Sequence, residues 1–245
     1  MYDPPAYLWA ITIAGPTGIA AATCIVLYGG AKRAGLGRRR AALLAGAAAV
    51  LLGGWFTATA LIADHGWYHT LPWYPVAAAG FLGALLALSR IPMVARTLTA
   101  PGMPSRLLLP HSFRVAEVAF LLYLALGHLP ALFALPAGLG DVAIGIAAPF
   151  VAYRLARGTG RRAALWHNAF GMTDLVAALT LGALTGFQLV NVTPSAAPIF
   201  ELPLALIVTA GVPLLLALHI TSVSTLRRAQ RAPLPAAAPL IAATR

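Results

Sequence analysis

Long apolar stretches recur along the whole 245-residue chain, separated by short polar segments. Each is about 18 residues or longer, and as a helix such a stretch crosses roughly 30 Å of hydrocarbon. Runs of this length favour helices, because barrel strands are only about ten residues long and alternate in polarity. We therefore predict an all-α fold, a seven-transmembrane-helix bundle with spans at residues 7–28, 41–63, 73–95, 112–133, 138–156, 164–189 and 198–221.

Basic residues lie only at alternate connections between these spans. All 17 Lys and Arg residues follow the first, third, fifth and seventh spans or lie at the edges of those connections. Cytoplasmic loops are enriched in Lys and Arg, so the pattern predicts that the N-terminus lies outside and the C-terminus inside. Aromatic residues around the second loop are typical of the outer interface. The predicted location is the cell inner (plasma) membrane, with the bilayer as the first partner.

Composition agrees with this interpretation, since 60% of residues are hydrophobic and 9% are charged. Soluble domains carry about 25% charged residues. The net charge of +11 does not indicate nucleic-acid binding, because the basic clusters lie between apolar spans. One cysteine, Cys24, allows no intrachain disulfide. We predict one transmembrane domain over 1–226 and a disordered, basic, Pro- and Ala-rich cytoplasmic tail over 227–245.

Asp174 is the sharpest candidate for chemistry. An ionisable group inside a bilayer costs a few kcal/mol or more, so it is a functional candidate by default. Asp174 lies about ten residues into the sixth span, roughly 15 Å deep at 1.5 Å per residue. No cation lies within one turn of it in the sequence. It is interpreted either as a proton or cation relay site, or as a helix–helix hydrogen bond that locks the bundle.

Glu117 follows Arg114 by three residues near the predicted inner end of the fourth span. This spacing favours a local ion pair, with Arg114 extending its head group to the inner surface. The alternative is one inward-facing network of Arg114, Glu117 and Asp174. His167 and His219, together with His111, would then line an inner vestibule.

Asp141 and Glu201 are each predicted near the outer end of a helix, shortly after Pro136 and Pro198. A carboxylate in the first turn interacts favourably with the helix dipole, and proline suits the first helical position. Capping therefore explains both residues. The alternative is an acidic outer mouth that attracts cations.

Three histidines are predicted on the outer side: His65, His69 and His128. If the second helix continues that far, His65 and His69 share one face at a spacing that can hold a metal ion. The hypothesis is a mixed histidine and carboxylate metal site, or a haem site. The chain contains no His-Glu-x-x-His motif, and no other cofactor is indicated.

One region resembles a known pattern: Arg114-Val-Ala-Glu117, then Gly127-His-Leu-Pro130, then residues 133–141. This region of about thirty residues is similar to a family of uncharacterised bacterial polytopic membrane proteins. The resemblance implies a multi-pass membrane protein and no particular activity.

Three functional hypotheses remain. The leading one is a small transporter or channel-like protein for protons, cations or a small solute, with Asp174 at the midplane and Glu117 and Arg114 as its inner gate. The second is a membrane metal or haem enzyme that uses the outer histidines. The third is a non-catalytic accessory or sensor that binds a copy of itself or another membrane protein through small-residue helix faces.

Overall fold

The computed structural model describes residues 4–231, which contain helices and no strand. The predicted all-α fold is confirmed. Short 3-10 helices cover Trp67–His69, Leu109–Val118 and Ala197–Phe200, and a π-helical turn covers Ile207–Gly211. The α-helices are α1 (Ala6–Arg33), α2 (Gly37–Asp64), α3 (Trp73–Leu88), α4 (Pro92–Leu98), α5 (Met103–Arg106), α6 (Ala119–Ala125), α7 (Ala131–Ala156), α8 (Arg161–Gly186) and α9 (Val212–Arg231).

Six stretches of the described chain are long and apolar enough to cross a membrane. A seventh candidate is α3 followed by α4, two helices that bend by 88° at the break between them. The chain is a multi-pass membrane protein with six spans, or seven if the bent pair counts as one. The six stretches are Ala6–Arg33, Gly37–Asp64, Met103–Ala125, Ala131–Ala156, Arg161–Gly186 and Ile207–Arg228.

The predicted third span, 73–95, is wrong at its inner end because α3 stops at Leu88. Pro92 is the cause. Proline disfavours helical geometry for the residue before it, and Ile91 accordingly has ψ 131. Pro92 then begins α4 at a position where its missing N–H costs no hydrogen bond. The chain turns sharply at this point.

The fourth span was predicted at 112–133, which is about nine residues too close to the C-terminus. The structure begins the span at Met103 and ends it at Ala125. Pro104 and Pro110 do not keep this segment from being helical. Instead they occupy the first turns of α5 and of the 3-10 helix Leu109–Val118, where proline is tolerated. Arg114 therefore lies at the midpoint of a span.

The break before the fifth span also differs from the prediction. It lies at 126–130, where Gly127 has φ +77, a conformation that favours glycine. Pro136, predicted at the break, is inside α7. Asp141 is consequently the eleventh residue of α7, far from the first turn.

The last span begins later than predicted, at Ile207 rather than residue 198. Residues 197–204 form a 3-10 turn and irregular structure on the approach to it. At the other end, α9 reaches Arg231 and so includes the first five residues of the segment predicted as a tail. Residues 232–245 lie outside the described residues.

Close backbone contacts hold the centre of the bundle. The 3-10 helix Leu109–Val118 packs between α1 and α7, and α9 packs against α3 and α8. At Gly145 of α7, a Cβ atom would lie 2.8 Å from the backbone N of Val115. A side chain there would push the 3-10 helix away from α7. Glycine therefore sets the spacing of these two spans next to Arg114.

Gly145→Ala should destabilise the protein by about 1–3 kcal/mol, because overpacking against backbone cannot relax cheaply. Gly53→Ala is the matched control, since a Cβ there has nothing within 4 Å and alanine is the better helix former. Thermal unfolding in detergent measures both. Equal melting temperatures for the two variants would contradict the packing argument.

The predicted orientation is tested by labelling two exposed positions in a Cys24→Ala background. Thr70 lies in the connection between α2 and α3, and Thr159 lies between α7 and α8. A membrane-impermeant maleimide should label Thr70→Cys in intact cells, because that side is predicted to be outside. Thr159→Cys should react only after lysis. The reverse pattern would mean that the topology is inverted.

Candidate functional site

Arg114 is the centre of a buried ionic cluster formed by three spans. Its side chain is fully buried; Nε donates to Oδ1 of Asp141 at 2.6 Å, and Nη2 donates to Oδ2 of Asp174 at 2.5 Å. Asp141 is on α7, and Asp174 is the fourteenth of the 26 residues of α8. We call Arg114, Asp141 and Asp174 the ion triad. Its position is close to the middle of each span.

The ion triad carries one cation against two carboxyl groups. Arginine stays protonated in proteins, so the fully ionised triad has one negative charge in excess. Burying a charge without a partner is costly, whereas charge-assisted pairs such as these offset much of the penalty. A proton or another cation bound at either carboxylate would remove the excess charge.

Two glycines give the side chains of the ion triad room between the helices. A Cβ at Gly140 of α7 would overlap Oδ1 of Asp174. A Cβ at Gly171 of α8 would overlap the His219 imidazole and lie 3.2 Å from Nη1 of Arg114. The space that these glycines leave is therefore filled by functional groups rather than by apolar packing.

Three histidines form a second layer beside the ion triad: His111, His167 and His219. All three are buried, at 0%, 5% and 0% exposure respectively. The rings of His111 and His219 stack with centroids 3.8 Å apart, and His167 lies 5.8 Å from each. The three spans that carry them therefore bring three imidazoles into mutual contact.

His219 links this histidine layer to the ion triad. Its Nε2 lies 3.4 Å from Nη1 of Arg114, and its Nδ1 lies 2.9 Å from Oδ1 of Asn168. Asn168 in turn donates through Nδ2 to the Ala164 carbonyl at 2.7 Å and to Oγ of Ser222 at 3.2 Å. These contacts place the proton of His219 on Nδ1, because Nε2 must accept from the guanidinium.

The 3-10 conformation of Leu109–Val118 aligns His111, Arg114 and Glu117. A 3-10 helix has three residues per turn, so side chains at i and i+3 lie directly above one another at a rise of about 2.0 Å per residue. All three residues are buried on one face of the segment. In an α-helix, at 3.6 residues per turn, each would be offset from the next by about 60°. The local backbone form thus builds a column of ionisable groups.

Glu117 does not form the predicted local pair with Arg114, because the guanidinium extends away to α7 and α8. Glu117 is only 2% exposed, and it points toward α1. A Cβ at Gly15 would lie 2.6 Å from Oε1 of Glu117. The prediction that Arg114 reaches the inner surface is likewise wrong, since its span begins at Met103 and buries it.

Several buried groups of the site have no hydrogen-bond partner within residues 4–231. They are both carboxyl oxygens of Glu117 and both ring nitrogens of His111 and of His167. A buried polar group without a partner costs about 1–3 kcal/mol. Networks that serve only stability are usually fully satisfied. Glu117, His111 and His167 thus retain hydrogen-bonding capacity that the described residues do not use.

The predicted outer residues are placed apart from this cluster. Glu201 follows the 3-10 turn Ala197–Phe200 in extended conformation, so it does not cap the last helix. Its Oε1 lies 3.5 Å from Nε2 of His69. Asp141 lies in the ion triad, so the two carboxylates do not form an outer mouth.

The outer histidines do not share a helical face. The second helix ends at Asp64, and Gly66 has φ +72. The four-residue spacing of His65 and His69 therefore does not place them on one face of a helix. Nδ1 of His65 contacts the Leu61 carbonyl of its own helix at 2.7 Å. His128 lies in the break before α7. Across the described chain, no group of three or more His, Cys, Asp or Glu residues is arranged to hold a metal ion.

Comparison with known proteins identifies one family. A domain of unknown function, DUF8737, matches residues 71–227. The matched region includes α3 to α8 and most of α9, and with them the ion triad and all three buried histidines. No curated protein and no solved structure matches the chain.

Arg114→Met should lower the free energy of unfolding by about 3–5 kcal/mol, because it leaves two carboxylates buried without their cation. The triple variant with Asp141→Asn and Asp174→Asn should recover most of this loss, since it buries no net charge. Arg162→Met, at an exposed arginine, is the control. Chemical or thermal unfolding in detergent provides the measurement. A triple variant as unstable as the single one would show that the charges are not the cause.

Proposed function

We propose that this chain, which belongs to the DUF8737 family, is a small transporter or channel-like protein for protons or small cations. The ion triad is the midplane site, and Glu117 with the histidine layer provides neighbouring groups that can exchange a proton.

The observation that carries the proposal is the set of unsatisfied groups beside the ion triad. A lock between helices needs Arg114, Asp141 and Asp174 only, because Arg114 already donates a hydrogen bond to each of the two carboxylates. Glu117, His111 and His167 add desolvation cost without adding hydrogen bonds among the described residues. Intramembrane ionisable groups of this kind line proton relays and ion pathways in membrane proteins.

The excess negative charge of the ion triad favours a cationic species. A proton on either aspartate, or a bound monovalent cation, would make the cluster neutral in the low-dielectric interior. Protons have one further advantage here. The stacked rings of His111 and His219 and the Arg114 contact of His219 connect titratable groups over short distances.

Flux measurements in proteoliposomes test the proposal. Glu117→Gln is the decisive variant, because it removes a carboxylate that makes no hydrogen bond within the described residues and should leave the fold intact. A neutral amide cannot take up a proton, so proton flux reported by an internal pH dye should fall about tenfold or more. Asp174→Asn should lower flux at least as much.

Asp64→Asn is the matched control, since Asp64 is an exposed carboxylate at the end of α2. Its flux should equal that of the wild type. Monodisperse elution and an unchanged melting temperature must accompany any loss in Glu117→Gln. The proposal fails if wild-type protein moves neither protons, Na⁺ nor K⁺, or if folded Glu117→Gln retains full flux.

A further inference from the structure

An apolar cleft lies between the N-terminal half of α2 and the C-terminal half of α3. Both halves are next to connections that carry basic residues. The volume of the cleft is about 420 Å³. Leu44 and Leu52 of α2 form one side, and Leu85 and Leu88 of α3 form the other. The cleft is distinct from the ion triad, since no residue of the triad or of the histidine layer lines it.

The cleft is enclosed on several sides. The stacked rings of Trp55 and Phe81, with centroids 4.7 Å apart, join α2 to α3 on the outer side of it. Met93 and Val94 of α4 line its inner end, and α1 and α9 line its back. Because α2 packs on α1 while α3 packs on α9, the remaining opening is lateral, between α2 and α3. That direction leads into the hydrocarbon of the bilayer.

Two arginines lie at the inner rim of this opening. Arg40 lies one turn before the cleft residue Leu44, on the same face of α2. Arg90 lies between Ser89 and Ile91, both of which line the cleft. Both arginines are exposed, and neither takes part in an ion pair within the described residues.

Among residues 4–231, no acidic residue competes for these arginines. The carboxylates of the described chain are in the membrane interior or on the side of the outer connections: Asp64, Glu117, Asp141, Asp174 and Glu201. The rim therefore presents positive charge at the depth of lipid head groups, directly beside an apolar cleft. Basic pockets between transmembrane helices on this side of a membrane suit anionic lipid head groups.

We propose that the cleft holds an acyl chain of an anionic phospholipid, whose phosphate is bound by Arg40 and Arg90. The acyl chain leaves one apolar environment for another, so its transfer supplies little selectivity. The discrimination between lipids must therefore come from the head group. The two guanidinium groups determine how strongly an anionic head group is bound. This site is independent of the transport proposal.

Native mass spectrometry of the full chain, incubated with phosphatidylglycerol or with phosphatidylcholine, tests the site. Retained phosphatidylglycerol should exceed phosphatidylcholine, because only the former carries net negative charge. Arg40→Ala and Arg90→Ala should each reduce retained phosphatidylglycerol about fivefold, since a basic residue near the surface contributes about 1 kcal/mol to binding anionic lipid. The two effects should combine in the double variant.

Two matched variants separate charge from shape. Arg162→Ala removes an exposed arginine away from the cleft and should leave lipid retention unchanged. Ala48→Trp fills the cleft from α2 without altering the rim, and should reduce retention of phosphatidylglycerol. The proposal is overturned if both lipids are retained equally, if the double arginine variant behaves as wild type, or if inorganic phosphate displaces the lipid at equal concentration.

Discussion

The pairing of Arg114 with two aspartates is the constraint on which the arrangement of the spans depends. A guanidinium in the middle of a bilayer must be compensated, and here the compensation comes from α7 and α8 at once. This fixes the depth and the rotation of three spans together. The glycine contacts are consistent with the same requirement, because Gly140 and Gly171 lie where the side chains of the cluster need space.

The backbone around Arg114 is unusual, and its conformation bears on the same cluster. Runs of 3-10 helix longer than 3–4 residues are uncommon, yet Leu109–Val118 extends over ten. Its three-residue repeat places His111 and Glu117 directly above and below Arg114, whereas an α-helix would offset each by about 60°. The segment thus forms a column of buried titratable groups.

The sequence was sufficient where apolar length alone decides the outcome, as in α1, α2 and α8. It was insufficient at prolines. Pro92 follows the end of a helix and Pro136 lies inside one, although proline disfavours helical geometry for the preceding residue in both cases. Asp174 could be found because it is ionisable and deep in an apolar run. Its partner could not, since Arg114 is 60 residues away and a misplaced span start put it at the membrane surface.

The family match covers residues 71–227 and leaves out α1 and α2. These two parts of the chain contribute differently to the ion triad and to the apolar cleft. The matched region begins at residue 71 and contains the whole ion triad and histidine layer. The ion triad and the histidine layer therefore lie within the family domain. The segments before it contribute differently: Gly15 of α1 faces Glu117, and α2 supplies one wall and one arginine of the lipid cleft. α1 therefore covers Glu117 without providing any charge of the cluster, and α2 packs on α1 rather than on the ion triad.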